Sequence, residues 1–258
     1  MVAWTESAIA IAGTKVHLTR AGKGPPVLVL HRDIGMIVGS HFLDELAQSA
    51  EVIVPHHAGW GRSPRAEWML SVRDMAVLHR GLLAELGIER AALVGLGFGG
   101  WIAAEMATMA PRDVAKLVLV APMGIKPPEG DILDQAIVSY IDYARAGFHD
   151  QNKFNNVYGA EPSTDQLEAW DIAREMCFRI AWKPYMYSQT LPHLLGSVKA
   201  PTLIAWGDKD RIVPLSTAKR YVATLPDAKL EVIENCGHCV DLEQPGRLAG
   251  LVSSFIAR

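Results

Sequence analysis

The sequence has few cysteines, no block of basic residues and no apolar run long enough to cross a membrane. Three cysteines in 258 residues do not suggest a disulfide framework, which favours a reducing, cytoplasmic setting. With 25 basic and 28 acidic residues the net charge is −3, so the charge favours neither nucleic acid nor an anionic membrane as a partner. The first residues show neither the basic nor the apolar region of a signal peptide, and we expect none.

Half of the residues are hydrophobic, which is enough for one large core. Residues 6–12 and 15–20 alternate apolar and polar side chains around Gly13-Thr14 and predict an antiparallel hairpin. Short apolar runs predict buried strands at 27–30, 51–55, 116–121, 202–206 and 230–233, and a further strand beginning at Ala91. Helical or loop sequence follows each run. This alternation predicts an α/β fold with a mostly parallel, doubly wound sheet and helices on both faces.

Two helices are predicted in detail, at 40–50 and at 71–86. Ser71 is a suitable N-cap for the second, and Gly87 is a suitable stop. Residues 124–195 break the alternation, because they show helical periods and no convincing strand. We interpret this segment as a helical cap inserted into a core domain made of residues 1–123 and 196–258.

Aromatic side chains are dense in the predicted cap. Most of them would fill the cap's own small core or its seam with the sheet, because aromatic residues at helical spacing usually pack. The alternative is that several line an apolar pocket above the sheet. The candidate substrate contacts among the aromatic residues of the chain are Trp101, Trp182 and Tyr185.

Residues 95–99 read Gly-Leu-Gly-Phe-Gly between a predicted strand and a predicted helix. This is the layout of the nucleophile elbow G-x-S-x-G, in which a sharp corner presents a catalytic side chain. Gly97 occupies the place of the nucleophile. We expect a positive φ at this corner, which glycine adopts freely, so Gly97 both relaxes the corner and removes the usual reagent.

Three other polar segments, 31–35, 207–214 and 236–239, also follow predicted strands. Carboxyl ends of parallel strands meet at one edge of a sheet, where ligands bind. With the elbow and residues 55–63, Pro-His-His-Ala-Gly-Trp-Gly-Arg-Ser, these segments resemble the α/β-hydrolase fold family in order and spacing. His56 departs from the pattern, since the family commonly has Asp there.

The resemblance implies roles for individual residues. Asp210 would be the triad acid, with Asp208 as its competitor, and His238 the base. A histidine transfers protons near neutral pH, and a carboxylate on its second nitrogen fixes its tautomer. The main-chain N–H groups of Phe98 and Asp33 would form the oxyanion hole.

His31 and Arg32 are further candidates for substrate contact, because they follow the strand that ends at residue 30. The family often has glycine where this chain has Arg32. Either Arg32 and Asp33 contact substrate, or they pair with each other or face solvent. The adjacent His56 and His57 do not suggest a metal site, since neighbouring residues rarely point at one ion.

No cofactor is predicted, because the first strand–helix unit lacks a dinucleotide-binding loop. The thiols of Cys236 and Cys239 are interpreted as small packed side chains. The expected partner is a small, largely apolar organic substrate. The sequence leaves open whether the protein forms a homo-oligomer.

Three hypotheses follow from Gly97. In the first, His238 held by Asp210 acts as a general base in ester, lactone or carbon–carbon bond hydrolysis, or in the chemistry of a lyase or cofactor-free oxygenase of this fold. In the second, the chain is a serine hydrolase whose nucleophile was replaced by Gly97. In the third, the scaffold is a non-catalytic ligand-binding protein. Retention of both Asp210 and His238 favours an enzyme.

Overall fold

The computed structural model describes residues 2–258 and joins their strands in one sheet. The strands are β1 (Thr5–Ile11), β2 (Thr14–Ala21), β3 (Pro26–Leu30), β4 (Glu51–Pro55), β5 (Ala91–Leu96), β6 (Val114–Val120), β7 (Thr202–Gly207) and β8 (Ala228–Ile233). Their order across the sheet is β1-β2-β4-β3-β5-β6-β7-β8. The β1–β2 and β2–β4 pairs are antiparallel, and the other pairs are parallel. The predicted hairpin and mostly parallel sheet are confirmed.

The helices are α1 (His41–Leu46), α2 (Val72–Glu85), α3 (Phe98–Met109), α4 (Tyr140–Ala146), α5 (Gln151–Tyr158), α6 (Thr164–Ala181), α7 (Leu191–Leu194), α8 (Ser216–Thr224), α9 (Val240–Glu243) and α10 (Pro245–Ile256). A short 3₁₀ turn, Leu195–Ser197, follows α7. Within residues 2–258, no helix is both long enough and apolar enough to cross a membrane.

The predicted ends of α2 are confirmed. The Ser71 hydroxyl accepts a hydrogen bond from the Asp74 N–H at 3.1 Å, and Gly87 follows the helix with φ of +69°. The helix predicted at 40–50 is shorter than expected and ends at Leu46. Hydrogen bonds between residues three apart replace the helix there, from the Ser49 N–H to the Leu46 carbonyl for example.

Alternate side chains of the central strands pack on opposite faces of the sheet. In β3, Leu28 and Leu30 join the core cluster that contains α2 and α3, while Val27 and Val29 join the cluster that contains α1 and α10. Side chains two residues apart share a face of a strand, so a run of consecutive apolar residues buries both faces. This is why short, fully apolar strands place helices on each side.

Helices α4 to α7 lie in the chain between β6 and β7. The described residues 124–195 hold no strand, only an isolated bridge between Gly124 and Tyr187. Phe148 and Phe154 pack edge to face, with ring centroids 5.6 Å apart, in a cluster that also contains Cys239. The segment therefore packs against the loop that follows β8.

Candidate active site

The corner between β5 and α3 places Gly97 in the backbone conformation expected of an elbow. Its φ is +52° and its ψ is −111°. The Gly97 N–H donates to the Val120 carbonyl at 2.9 Å, and the Gly97 carbonyl accepts from the N–H groups of Gly100 and Met123. A residue with a side chain would be strained here, so glycine lowers the cost of forming the corner.

The outer glycines let the backbone of α3 approach the strands closely. A Cβ added to Gly95 would lie 2.5 Å from the Gly100 Cα, and one added to Gly99 would lie 2.1 Å from the Leu30 carbonyl oxygen. Both contacts are with backbone atoms, which cannot rotate away. The spacing of these glycines is therefore required by packing, whatever residue occupies position 97.

We expect Gly99→Ala to lower the free energy of unfolding by about 3 kcal/mol, because the added methyl group overpacks a rigid backbone contact. Gly250→Ala is the matched control. Gly250 lies within α10 with no atom within 4 Å of an added Cβ, so alanine there should raise stability by up to about 1 kcal/mol. Urea unfolding of both variants measures the difference. Equal stabilities would show that the contact is not rigid.

The loops after β7 and β8 bring an acid and a histidine together. His238 Nδ1 lies 2.8 Å from Asp210 Oδ2. The other oxygen, Oδ1, accepts the N–H groups of Ile212 at 2.8 Å and Val213 at 2.9 Å. Asp208 instead lies 3.0 Å from the Lys209 ammonium. The structure thus pairs His238 with Asp210 and not with the competing acid.

The pairing defines the state of the imidazole. A carboxylate only accepts, so Nδ1 carries the proton and Nε2 the lone pair of a general base. His238 is 4% exposed, and its Nε2 has no hydrogen-bond partner among residues 2–258. A Cβ on Gly97 would lie 2.7 Å from this atom. The imidazole therefore takes part of the space that a serine side chain would need.

The loop after β3 meets the same corner. Phe98 is the first residue of α3, where a backbone N–H has no acceptor within the helix. The carbonyl of Asp33 accepts the Trp60 indole N–H at 2.6 Å. Its carboxylate Oδ2 accepts from Gln135 Nε2 and from the Tyr143 hydroxyl, both at 2.7 Å. Asp33 therefore ties this loop to the segment between β6 and β7.

Arg32 and Asp33 are only 2% and 1% exposed. Arg32 forms an ion pair with the buried Asp241 through Nη2 and Oδ1. The hypothesis that Arg32 and Asp33 pair with each other or face solvent is wrong, because each has a different buried partner. The sequence offers no sign of Asp241, whose partner lies 209 positions earlier in the chain.

Three buried histidines, His31, His57 and His79, form a chain of hydrogen bonds that holds the loop after β3. The His57 N–H donates to His31 Nε2 at 3.1 Å, and His31 Nδ1 lies 2.7 Å from the Arg32 carbonyl. His57 Nε2 lies 3.0 Å from the His31 carbonyl, and His57 Nδ1 lies 2.8 Å from Nε2 of His79. One set of neutral tautomers satisfies all four contacts: His31 protonated at Nδ1, and both His57 and His79 at Nε2.

Burial keeps these histidines neutral. It lowers the pKa of His79 to about 3 and holds the pKa of His31 and His57 well below the ordinary value. Mutual repulsion between the rings adds to the effect. Within residues 2–258, no group of three or more His, Cys, Asp or Glu side chains could hold a metal ion. The three cysteines are free and buried.

The predicted aromatic contacts occupy different environments. Trp101 is 5% exposed and packs edge to face on Phe98, with centroids 5.9 Å apart. The Tyr185 hydroxyl donates to the Leu133 carbonyl and accepts from the Gln135 N–H. Trp182 is 42% exposed and packs against Tyr185. Contact of these side chains with substrate stays a prediction.

A model of the alpha/beta hydrolase family matches residues 27–251. The chain belongs to the alpha/beta hydrolase family. The matched region includes β3 from its second residue, β4 to β8, the corner at Gly97, Asp210 and His238. The fold therefore agrees with the family as a whole.

Curated relatives extend over nearly the whole chain. The sequence is 29% identical to a 2-hydroxymuconate semialdehyde hydrolase of Pseudomonas sp. (strain CF600), with 96% of this chain and 93% of the relative covered. It is 31% identical to a 2-hydroxy-6-oxononadienedioate/2-hydroxy-6-oxononatrienedioate hydrolase of Paraburkholderia phymatum, with 95% and 91% covered. These likenesses class this member of the alpha/beta hydrolase family as a hydrolase.

A solved structure shows the same fold. A meta-cleavage product hydrolase from Pseudomonas fluorescens IP01 superposes with a TM-score of 0.82 at 24% identity, covering 97% of both chains. The agreement concerns the arrangement of the alpha/beta hydrolase fold, since the sequences are distant.

Proposed function

We propose that the protein hydrolyses the carbon–carbon bond next to the 6-oxo carbonyl group of a conjugated 2-hydroxy-6-oxo acid, using His238 and Asp210 without a serine nucleophile. The observation that carries the proposal is the unpartnered His238 Nε2, oriented by Asp210 and lying beside the glycine corner. The relatives' names, which describe hydrolases of 2-hydroxymuconate semialdehyde and of 2-hydroxy-6-oxo acids, support the substrate class.

The chemistry of such a substrate suits a site with only a base. In the keto tautomer, the bond between carbons 5 and 6 joins the ketone to a carbon whose electron pair can delocalise onto the oxygen at carbon 2. Water adds to the ketone as His238 removes its proton. The bond then breaks, the acyl part leaves as a carboxylic acid, and the other part takes the proton and becomes a 2-hydroxydienoate. This stable leaving group lowers the demand on the nucleophile.

The other residues have supporting roles in this proposal. Asp210 orients the imidazole and stabilises the imidazolium that forms. The main-chain N–H groups of Phe98 and Asp33 stabilise the oxyanion, a contribution of about 100- to 1,000-fold per donor in comparable sites. Residues 124–195 act as a cap that covers the substrate. The proposed reaction requires no cofactor.

A second candidate is a serine hydrolase in which glycine has replaced the nucleophile. The intact pair of His238 and Asp210 and the positive φ at Gly97 favour it. A serine Cβ would however lie 2.7 Å from His238 Nε2, so the imidazole would have to move for a serine to fit.

The test compares the protein with Gly97→Ser on 2-hydroxy-6-oxo-6-phenylhexa-2,4-dienoate, an aryl ester and a lactone. We expect the glycine form to hydrolyse the dienoate. We expect Gly97→Ser to hydrolyse the dienoate more slowly, because the new side chain displaces His238. The free energy of unfolding of Gly97→Ser should be about 1–3 kcal/mol lower, because the new side chain is strained. Turnover by the serine form alone would identify a serine-hydrolase site. Binding without turnover by either form would favour a ligand-binding protein.

A further inference from the structure

The guanidinium of Arg32 is buried near Gly97 and His238, and some of its hydrogen-bond donors have no acceptor. Arg32 is 2% exposed, and Nη2 donates to Asp241 Oδ1. Nε and Nη1 have no hydrogen-bond partner among residues 2–258. Buried charged donors without acceptors are costly and rare in folded proteins. The open donors therefore call for an acceptor.

The ion pair with Asp241 does not account for this arrangement. Arginine and carboxylate groups frequently pair through two parallel hydrogen bonds. Here Asp241 Oδ2 also lacks a partner among residues 2–258, so the pair rests on one contact. A group kept only for stability would be expected to use both oxygens, because a buried ion pair with unsatisfied atoms is a poor source of stability.

The stem of Arg32 begins at the glycine corner. Its Cβ lies 3.3 Å from the point that a Cβ on Gly97 would occupy, and His238 Nε2 lies 2.7 Å from the same point. The guanidinium extends towards α9, where it contacts Asp241. Burial raises the pKa of the Cys239 thiol to about 11, and the nearby Arg32 charge acts in the opposite direction. Arg32 and His238 therefore both lie beside the corner at Gly97.

We propose that Arg32 binds an anionic oxygen of the substrate, either a carboxylate or an enolate, through Nε and Nη1. The inference rests on the proposed function, for which it names the residue that binds the anionic group of the substrate. A bound anion would hold the ketone close to His238, and such positioning matters more where no covalent nucleophile captures the substrate. Planar arginine suits this role because its donors point in fixed directions.

Binding measurements separate this proposal from the proposed reaction. The probes are 6-oxo-6-phenylhexanoate and its methyl ester, which differ in one charge and lack the conjugated leaving group. Titration calorimetry on the unaltered protein gives both affinities without turnover. If Arg32 binds the carboxylate, we expect the acid to bind about 10- to 100-fold more tightly than the ester. This result does not depend on whether the protein cleaves a carbon–carbon bond.

The decisive variant is Arg32→Met with Asp241→Leu, because it removes both charges and leaves neither buried alone. We expect it to fold and to lose the preference for the acid. Asp241→Asn is the matched control, since it keeps the guanidinium and an acceptor for Nη2, and it should keep the preference. Should the double variant not fold, Arg32→Lys, which retains charge but has no Nε donor, should show a reduced preference.

A second pair of measurements identifies which oxygen is bound. The methyl ester of 2-hydroxy-6-oxo-6-phenylhexa-2,4-dienoate keeps the enol but loses the carboxylate, and His238→Ala prevents its hydrolysis. If Arg32 binds the enolate, the double variant in this background loses affinity for that ester. If Arg32 binds the carboxylate, only affinity for the acid falls. Unchanged affinity of the double variant for both probes overturns the proposal and leaves Arg32 as a structural ion pair.

Discussion

Replacing His238 with alanine is expected to lower kcat/KM for a 2-hydroxy-6-oxo-dienoate by about 10²- to 10⁴-fold, the usual contribution of a general base. The expectation follows from the geometry of the site. His238 holds its proton on Nδ1 against Asp210 and presents the lone pair of Nε2 beside Gly97. With no nucleophilic side chain at the corner, no other group at that position can activate water.

Steady-state kinetics of three variants give the test. His193→Ala alters an exposed histidine of α7 and should leave the rate unchanged. Asp210→Asn should also slow the reaction strongly, because an amide can hold the imidazole in the wrong tautomer. Circular dichroism confirms that each variant is folded. Full activity of His238→Ala would exclude the proposed mechanism and favour chemistry in which the histidine does not act as a base.

The second large effect is a loss of stability in acid. The pKa values of His31, His57 and His79 are held below the ordinary value near 6.5, with His79 at about 3. Below about pH 6.5 the unfolded chain binds protons that the folded chain does not, and for His79 this difference persists down to about pH 3. Protonation of these histidines therefore has little effect on the free energy of unfolding above about pH 6.5. Below that pH it lowers the free energy of unfolding by about 1 kcal/mol per pH unit for each histidine.

Urea unfolding between pH 7.5 and 4.5 measures this slope. We expect His79→Gln to reduce the slope by the share of one histidine, since the amide N–H can still donate to His57 Nδ1 without titrating. His193→Gln, at an exposed position, should leave the slope unchanged. A slope that is the same in His79→Gln would show that His79 does not remain neutral in the folded protein.

Local patterns predicted the framework of the fold. Fully apolar runs marked the parallel strands because both faces of a central strand are buried. Ser71 and Gly87 marked the ends of α2 because each acts within one turn of the helix. The Ser71 hydroxyl accepts a free N–H at the start, and Gly87 adopts the positive φ that follows the end. The helix predicted at 40–50 extended too far, because its composition does not show that turns with three-residue spacing follow Leu46.

The sequence by itself also predicted which loops would form the candidate site. Asp210, His238 and Gly97 follow parallel strands, and the geometry of a parallel sheet brings such loops to one edge. Choosing Asp210 over Asp208 from the sequence required the resemblance to the family, and the contact with His238 then agreed with that choice. Gly97 is likewise a signal that the sequence shows directly, because glycine readily adopts the positive φ that a corner of this kind needs.

Only the tertiary structure decided the partners of the buried polar side chains. Arg32 meets Asp241 across 209 positions, and the carboxylate of Asp33 meets the Tyr143 hydroxyl across 110. The histidines at 31, 57 and 79 come from a loop after β3, a loop after β4 and α2. The physical reason is that such partners depend on where separate elements cross in space, and no periodicity or spacing along the chain records that crossing.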